Sequence, residues 1–202
     1  MRLADLCQIH LGVTLERRPD PPTAEPAAKI VQLRDIVDDR LDLRRLDQVS
    51  AQGPLSVAHE RHTVRPGDVV FRSRGQQTTA AIADGDANAS AIAVAPVLIL
   101  RPGGGIVTPE YLVWSLNLAS TQRRLDRDAQ GSALRMIPRA ALENLELDIP
   151  TLETQQAITA ASALGEREAE LGQLLAAKRL DLINRYLRQM ARQPMPPLRS
   201  TP

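Results

Sequence analysis

From residue 151 to 193 the chain runs without a proline, while Ile158, Ala161, Leu164, Leu171, Leu175, Leu182, Tyr186 and Met190 recur at threes, fours and sevens. That spacing puts apolar side chains on one stripe of an α-helix. At 1.5 Å rise per residue, a helix of this length spans roughly 60 Å, far more than a small domain can cover. It needs a partner along most of its length, and the rest of the chain is read accordingly, as one domain carrying a long pairing helix. Ile158, Leu164, Leu171, Leu175, Leu182 and Tyr186 are expected to line the pairing seam. Gly165 and Gly172 interrupt it, each costing about 1 kcal/mol of helix stability relative to alanine. The segment 194–202, with Pro194, Pro196, Pro197 and Pro202, is expected to be a disordered tail.

Residues 1–150 leave room for one core of ordinary size. With 43% hydrophobic and 24% charged residues in the whole chain, a globular fold is expected. Residues 2–9 read as an amphipathic helical turn carrying Leu3, Leu6 and Ile9 and ended by Gly12. Pro19, Pro21, Pro22 and Pro26 make 17–28 an exposed loop. A strand over 29–33 and a second short strand within 34–46 follow from β-branched content. Pro66-Gly67-Asp68 turns the chain into a buried strand, Val69-Val70-Phe71. The apolar runs 80–83 and 89–100, separated by Asp84-Gly85-Asp86, read as strand, tight turn, strand. Thr108 is the expected N-cap and Pro109 the first residue of a helix reaching about Arg127. Met136-Ile137-Pro138 reads as a strand ending in a helix-start proline, and the alternation of residues 145–149 as a half-buried strand. The expected class is α+β: a twisted β-sheet with flanking helices, then one long helix in an antiparallel coiled coil.

Several kinds of chemistry lack their residues. A single cysteine, Cys7, excludes an intrachain disulfide and any multi-cysteine metal site. His10, His59 and His62 lack metal-ligand spacing and read as surface histidines. Gly103-Gly104-Gly105 lacks the lysine of a phosphate-cradling loop and reads as a plain turn. Lys29 and Lys178 are the only lysines, and neither joins a carboxylate cluster fit for a magnesium-dependent nuclease. No glycine-rich loop suits a methyltransferase. We therefore expect no catalytic residue, no metal and no cofactor. With no long apolar run and no export signal at the N-terminus, no membrane contact is expected and the cytoplasm is the expected compartment.

Nearly all 25 basic residues are arginine in a chain of net charge +1. The planar guanidinium fork suits phosphate and guanine edges. Two polar segments concentrate such groups. The first is Arg72-Ser73-Arg74-Gly75-Gln76-Gln77-Thr78-Thr79, directly after a buried strand. The second holds Arg123, Arg124 and Arg127, then Gly131-Ser132 and Arg135, with Asp126 and Asp128 diluting its charge.

In order along the chain, RLADLCQIHLGVT, VRPGDVVFRSRG, TPEYLVWSLNLAS, QGSALRMIPRAALENLELDIP and IPTLETQQAI resemble the specificity subunit of type I restriction-modification systems. The resemblance covers almost the whole chain. It departs in lacking a tryptophan in the opening segment and in having Thr151 where a second proline is usual. It implies a target-recognition domain over 1–150 that reads duplex DNA in the major groove, followed by a spacer and dimerisation helix over 151–193. Family members usually hold two such units with their helices packed antiparallel. One unit would form a homodimer reading a bipartite, two-fold symmetric site. The implied partners are double-stranded DNA, DNA-adenine methyltransferase subunits and a restriction subunit. The implied DNA-binding residues are Arg72, Ser73, Arg74, Gln76, Gln77, Thr78, Arg124, Ser132 and Arg135. The alternative reading is a protein-interaction scaffold of a phage-defence complex that has this fold but no DNA readout of its own.

Overall fold

The computed structural model describes residues 1–15, 27–75, 78–131 and 135–192. The expected loop over 17–28 lies mostly outside these residues, and the 194–202 tail entirely so. Two compact units divide the chain, Met1–Thr159 and Ala160–Pro202.

The first unit is built on two mixed sheets, and its class is the α+β arrangement expected from sequence. The five-stranded sheet has the order β1-β9-β6-β7-β3, from Cys7–Leu11 (β1), Val97–Pro102 (β9), Val69–Arg72 (β6), Thr79–Asp84 (β7) and Arg40–Asp42 (β3). All neighbours are antiparallel except β7 and β3. The four-stranded sheet has the order β4-β2-β8-β5, from Gln48–Ser50 (β4), Ala27–Val31 (β2), Ala91–Ala93 (β8) and Thr63–Val64 (β5). Its central pair, β2 and β8, is parallel.

Both faces of the larger sheet are covered, and the sequence of its strands follows from this. Val69 and Phe71, Ala80 and Ile82, and Leu98 and Leu100 enter one core with Leu3, Leu6, Tyr111, Leu112, Leu116 and Leu142. Their alternates Val70, Ala81, Ala83, Val97 and Ile99 enter a second core with Val31, Val64, Ala91 and Ala93 of the smaller sheet. Successive side chains of a strand point to opposite faces, so strands buried twice read as continuous apolar runs. On the helical side lie α1 (Leu3–Leu6), α2 (Pro109–Asn117), α3 (Ala119–Arg127) and α4 (Arg139–Glu143). Cys7 is buried there; its thiol contacts Leu3 O at 3.4 Å, and burial pushes its pKa up to about 12.

Several local expectations give way to tertiary pairing. The helical turn expected over 2–9 stops at Leu6, because Cys7–Leu11 is drawn into antiparallel register with β9. The apolar run 89–100 does not fold back on β7. It divides into β8, which joins the smaller sheet, and β9, which returns to the larger one. The helix expected to reach Arg127 breaks at the extended Leu118, just after Asn117 clamps the Ala80 backbone with two side-chain hydrogen bonds of 2.8 and 2.9 Å. Thr108 caps α2 as expected, accepting from Tyr111 N at 3.2 Å. Pro138 is the N-cap of α4 rather than its first residue. Residues 145–149 alternate in burial but form no strand: their one bridge is Glu146 with Arg2, where Leu3 N–H donates to Leu145 O (2.8 Å) and Leu147 N–H to Met1 O (2.9 Å).

The helix α5 covers Leu152–Ala191, and its first residues, to Thr159, belong to the first unit. Gln155, fully buried, accepts from Thr108 N at 2.9 Å and donates from Nε2 to Ile106 O and Pro150 O, both at 2.9 Å. One side chain thereby satisfies the loop before α2 and the entry to α5. Ile158 packs partly on the helical-side core, apart from the other seam residues. In the second unit Leu164, Leu171, Leu175, Leu182 and Tyr186 are between 50% and 73% exposed. Arg167–Glu170 and Asp181–Arg185 ion pairs support the helix locally.

Gly12 marks the point where the chain leaves β1 for the smaller sheet. Its N–H donates to Val97 O (2.9 Å), and the next, Val13 N–H, to Ala93 O (2.8 Å). A Cβ here would stand 2.7 Å from the carbonyl carbon and oxygen of Ala93. Gly12→Ala is expected to cost about 1–3 kcal/mol, because backbone must move to admit the methyl. A lowered urea midpoint checks this; an unchanged midpoint would mean the two backbones are not in contact.

Candidate nucleic-acid interface

β6 emerges from the doubly buried layer at Arg72, and the chain turns polar there because both cores have ended. Ser73, Arg74 and Gly75 do not form a free hairpin loop. They run antiparallel to residues 135–137: Ile137 N–H donates to Ser73 O (2.8 Å), Gly75 N–H donates to Arg135 O (3.1 Å), and Arg74 bridges Met136. Met136 in turn exchanges two backbone hydrogen bonds of 2.9 Å with Gln130. The two arginine-bearing segments, far apart in sequence, thus share one edge. α3 is tied to the same edge, since Thr78 Oγ1 hydrogen-bonds Gln122 Oε1 and Arg135 reaches the Asp126 backbone carbonyl, with its carboxylate 3.8 Å away.

Six of the nine expected contact residues are among those described. Arg74 is exposed, with Nη2 3.6 Å from Met136 Sδ, and half-buried Arg72 directs Nε toward Arg74 O at 3.4 Å. Arg124 is exposed and donates to Glu146 O at 2.8 Å; Arg135 is also exposed. Thr78 is half-buried with its hydroxyl engaged by Gln122. Ser73 is the clear departure. It is 2% exposed and its hydroxyl donates to Pro96 O at 2.5 Å, so this side chain holds β6 to the turn before β9 and is withdrawn from the surface. Gln76, Gln77 and Ser132 lie outside the described residues.

Among the described residues, charge pairing distinguishes most of this edge from most of the domain, the exceptions being Arg135, 3.8 Å from Asp126, and unpaired Arg61. Arg2, Arg34, Arg40, Arg44, Arg65, Arg101 and Arg139 each have a carboxylate within ion-pair distance. The most buried of these pairs is that of Arg101, which binds Asp68 through two nitrogens at 2.8 and 2.9 Å. Asp68, read from sequence only as a turn residue, fixes β9 against the turn before β6. Among the described residues, Arg72, Arg74, Arg123, Arg124 and Arg127 have no such partner. An unpaired guanidinium keeps its donors for a ligand, and a group of them favours an anionic one. Sequence reasoning missed Met136 and Gln122, the residues that assemble the edge. Their partners lie 62 and 44 positions away, and no local pattern signals such pairing.

No family model and no curated protein matches this sequence. Solved structures do. A chain from work on complex assembly and conformational transition of the type I R-M system superposes with a TM-score of 0.62 at 19% identity, over 91% of this chain and 42% of that one. The HsdS subunit from Thermoanaerobacter tengcongensis superposes with a TM-score of 0.59 at 20% identity, over 89% of this chain and 38% of that one. The chain has the fold of type I restriction-modification specificity subunits, as the sequence resemblance implied, and spans less than half the length of either neighbour.

Ser73→Ala is expected to lower stability by about 1 kcal/mol, because the hydrogen bond from the buried Ser73 hydroxyl to the half-buried Pro96 carbonyl is lost. Urea unfolding checks this, and a midpoint equal to that of the parent chain would return Ser73 to the surface residues.

Proposed function

We propose that this chain is a non-catalytic specificity component of a type I restriction-modification system that recognises duplex DNA by sequence. The observation that carries this reading is the convergence of two arginine segments on one edge, where, among the described residues, Arg72, Arg74 and Arg124 lack carboxylate partners and Arg135 has only Asp126, at 3.8 Å. Arg72, Arg74, Arg124 and Arg135 are the proposed phosphate and base contacts, with Gln76, Gln77, Thr78 and Ser132 supplying polar groups from the same segments. Arginine forks address guanine edges and phosphates, whereas amide side chains address adenine.

In this reading residues 1–150 form the target-recognition domain and 151–193 the spacer. The exposed Leu164, Leu171, Leu175, Leu182 and Tyr186 pair with the helix of a second copy, antiparallel, because a contiguous apolar stripe of this size calls for a partner. A two-fold pair of readers addresses two half-sites at a fixed separation. DNA-adenine methyltransferase subunits and a restriction subunit supply the chemistry, in the cytoplasm, at the site so marked.

Selection from a randomised duplex library tests this at about 150 mM salt, where non-specific phosphate attraction is weakened, with and without an adenine methyltransferase subunit. Enrichment of a split palindrome is expected. A single, unrepeated half-site would retain the reading of DNA and remove the symmetric pair, and no enrichment under either condition would favour the protein-interaction scaffold.

A further inference from the structure

The chain holds three histidines, and the fold gathers all of them. His10 comes from β1, while His59 caps the short helical turn Glu60–His62 and His62 ends it. Together with Arg61 and with Arg139 of α4, they line one cleft of about 490 Å³, within the roughly 300–1,000 Å³ typical of small-ligand sites. Among the described residues, no aspartate or glutamate lines it. Of the nearby carboxylates, Glu60 pairs with Arg65 (3.0 Å) and Asp68 with Arg101 (2.8 Å), outside the lining, whereas Glu143 pairs with the lining residue Arg139 through Nε (2.6 Å). Arg61 has no carboxylate partner among the described residues; its Nε lies 3.2 Å from His62 Nε2.

The same cleft has an apolar wall. Leu11 and Val57, 44% and 68% exposed, both line it. A simple inorganic anion would leave these side chains in water, and a purely apolar ligand would leave the cationic wall unused. No group of three metal-ligating side chains among the described residues could hold a metal ion, and the His59 and His62 rings are 6.0 Å apart.

We propose that this cleft binds a mononucleotide-sized phosphate monoester, its phosphate held by Arg61, Arg139 and the histidines and its planar body lying on Leu11 and Val57. The site shares no lining residue with the arginine edge proposed to read duplex DNA.

Proton linkage follows from the electrostatics. Burial, then Arg101, Arg139 and Arg61, push His10 below the ordinary imidazole pKa, with Asp68 opposing; burial, then Arg61, His59 and His10, do the same to His62. Both shifts favour the neutral imidazole. A phosphate dianion stabilises their protonated forms, so binding takes up protons and tightens as pH falls.

Calorimetric titration of the full chain with AMP, inorganic phosphate and adenosine, alongside NMR titration of the histidine ring protons, tests the proposal. AMP is expected to bind about tenfold or more tighter than either fragment. Its affinity should rise between about pH 8 and pH 6, and the His10 and His62 midpoints should move up when it binds. Arg61→Ala should weaken AMP about tenfold or more, and Arg61→Lys should recover only part of this while both variants melt with the parent chain. AMP binding no tighter than inorganic phosphate, or unmoved by Arg61→Ala, would overturn the proposal. So would competition in which duplex DNA displaces AMP and Arg61→Ala weakens both equally, because the cleft would then be a backbone contact of the duplex.

Discussion

Burial of the five-stranded sheet on both faces is the constraint from which the rest of the domain follows. It demands apolar side chains from Val69 to Phe71 of β6 and from Val97 to Leu100 of β9, with helices on one side and the smaller sheet on the other. Polar function is thereby confined to strand ends and to the segments that leave them. Arg72 is where β6 escapes both cores, and the segment after it becomes an edge rather than a loop because residues 135–137 hydrogen-bond to it.

The long helix, the Thr108 cap and the Val69-Val70-Phe71 strand were legible in sequence because each is written in a local code: a helical period, a capping side chain, a short apolar run after a turn. The fate of 89–100 was not. A run of apolar residues states that it is buried but not in which sheet, and this one supplies a strand to each. Cys7–Leu11 shows the same limit from the other side, since helical spacing at Leu3 and Leu6 carried over to residues that pair along their whole length with β9. Residues 145–149 show the expected alternation without a strand, their backbone meeting the first residues of the chain at a single bridge.

The candidate interface was legible as composition and illegible as geometry. Arginine-rich segments could be picked out, yet Ser73 could not be separated from Arg72 and Arg74 until the structure buried its hydroxyl against Pro96. Nor does a net charge of +1 reveal the local imbalance. Most arginines elsewhere in the domain are neutralised by neighbours such as Asp42, Asp68 and Asp84, and the charge available to a ligand is concentrated where such neighbours are missing. Gln155 gives the boundary motif a physical meaning: three hydrogen bonds from one buried amide join the start of the helix to the domain.

The most direct test of the central claim is the salt-dependent affinity of a library-selected duplex for three proteins: the parent chain, a variant with Arg72, Arg74 and Arg135 replaced by alanine, and a control with the carboxylate-paired Arg40 and Arg44 replaced instead. The account predicts at least about a tenfold loss on the selected duplex for the first variant, since a good base contact contributes about 1–3 kcal/mol of discrimination. It also predicts a shallower salt slope, a smaller loss on a scrambled duplex, and no change in the control. Equal affinity of all three proteins for the selected duplex would contradict it.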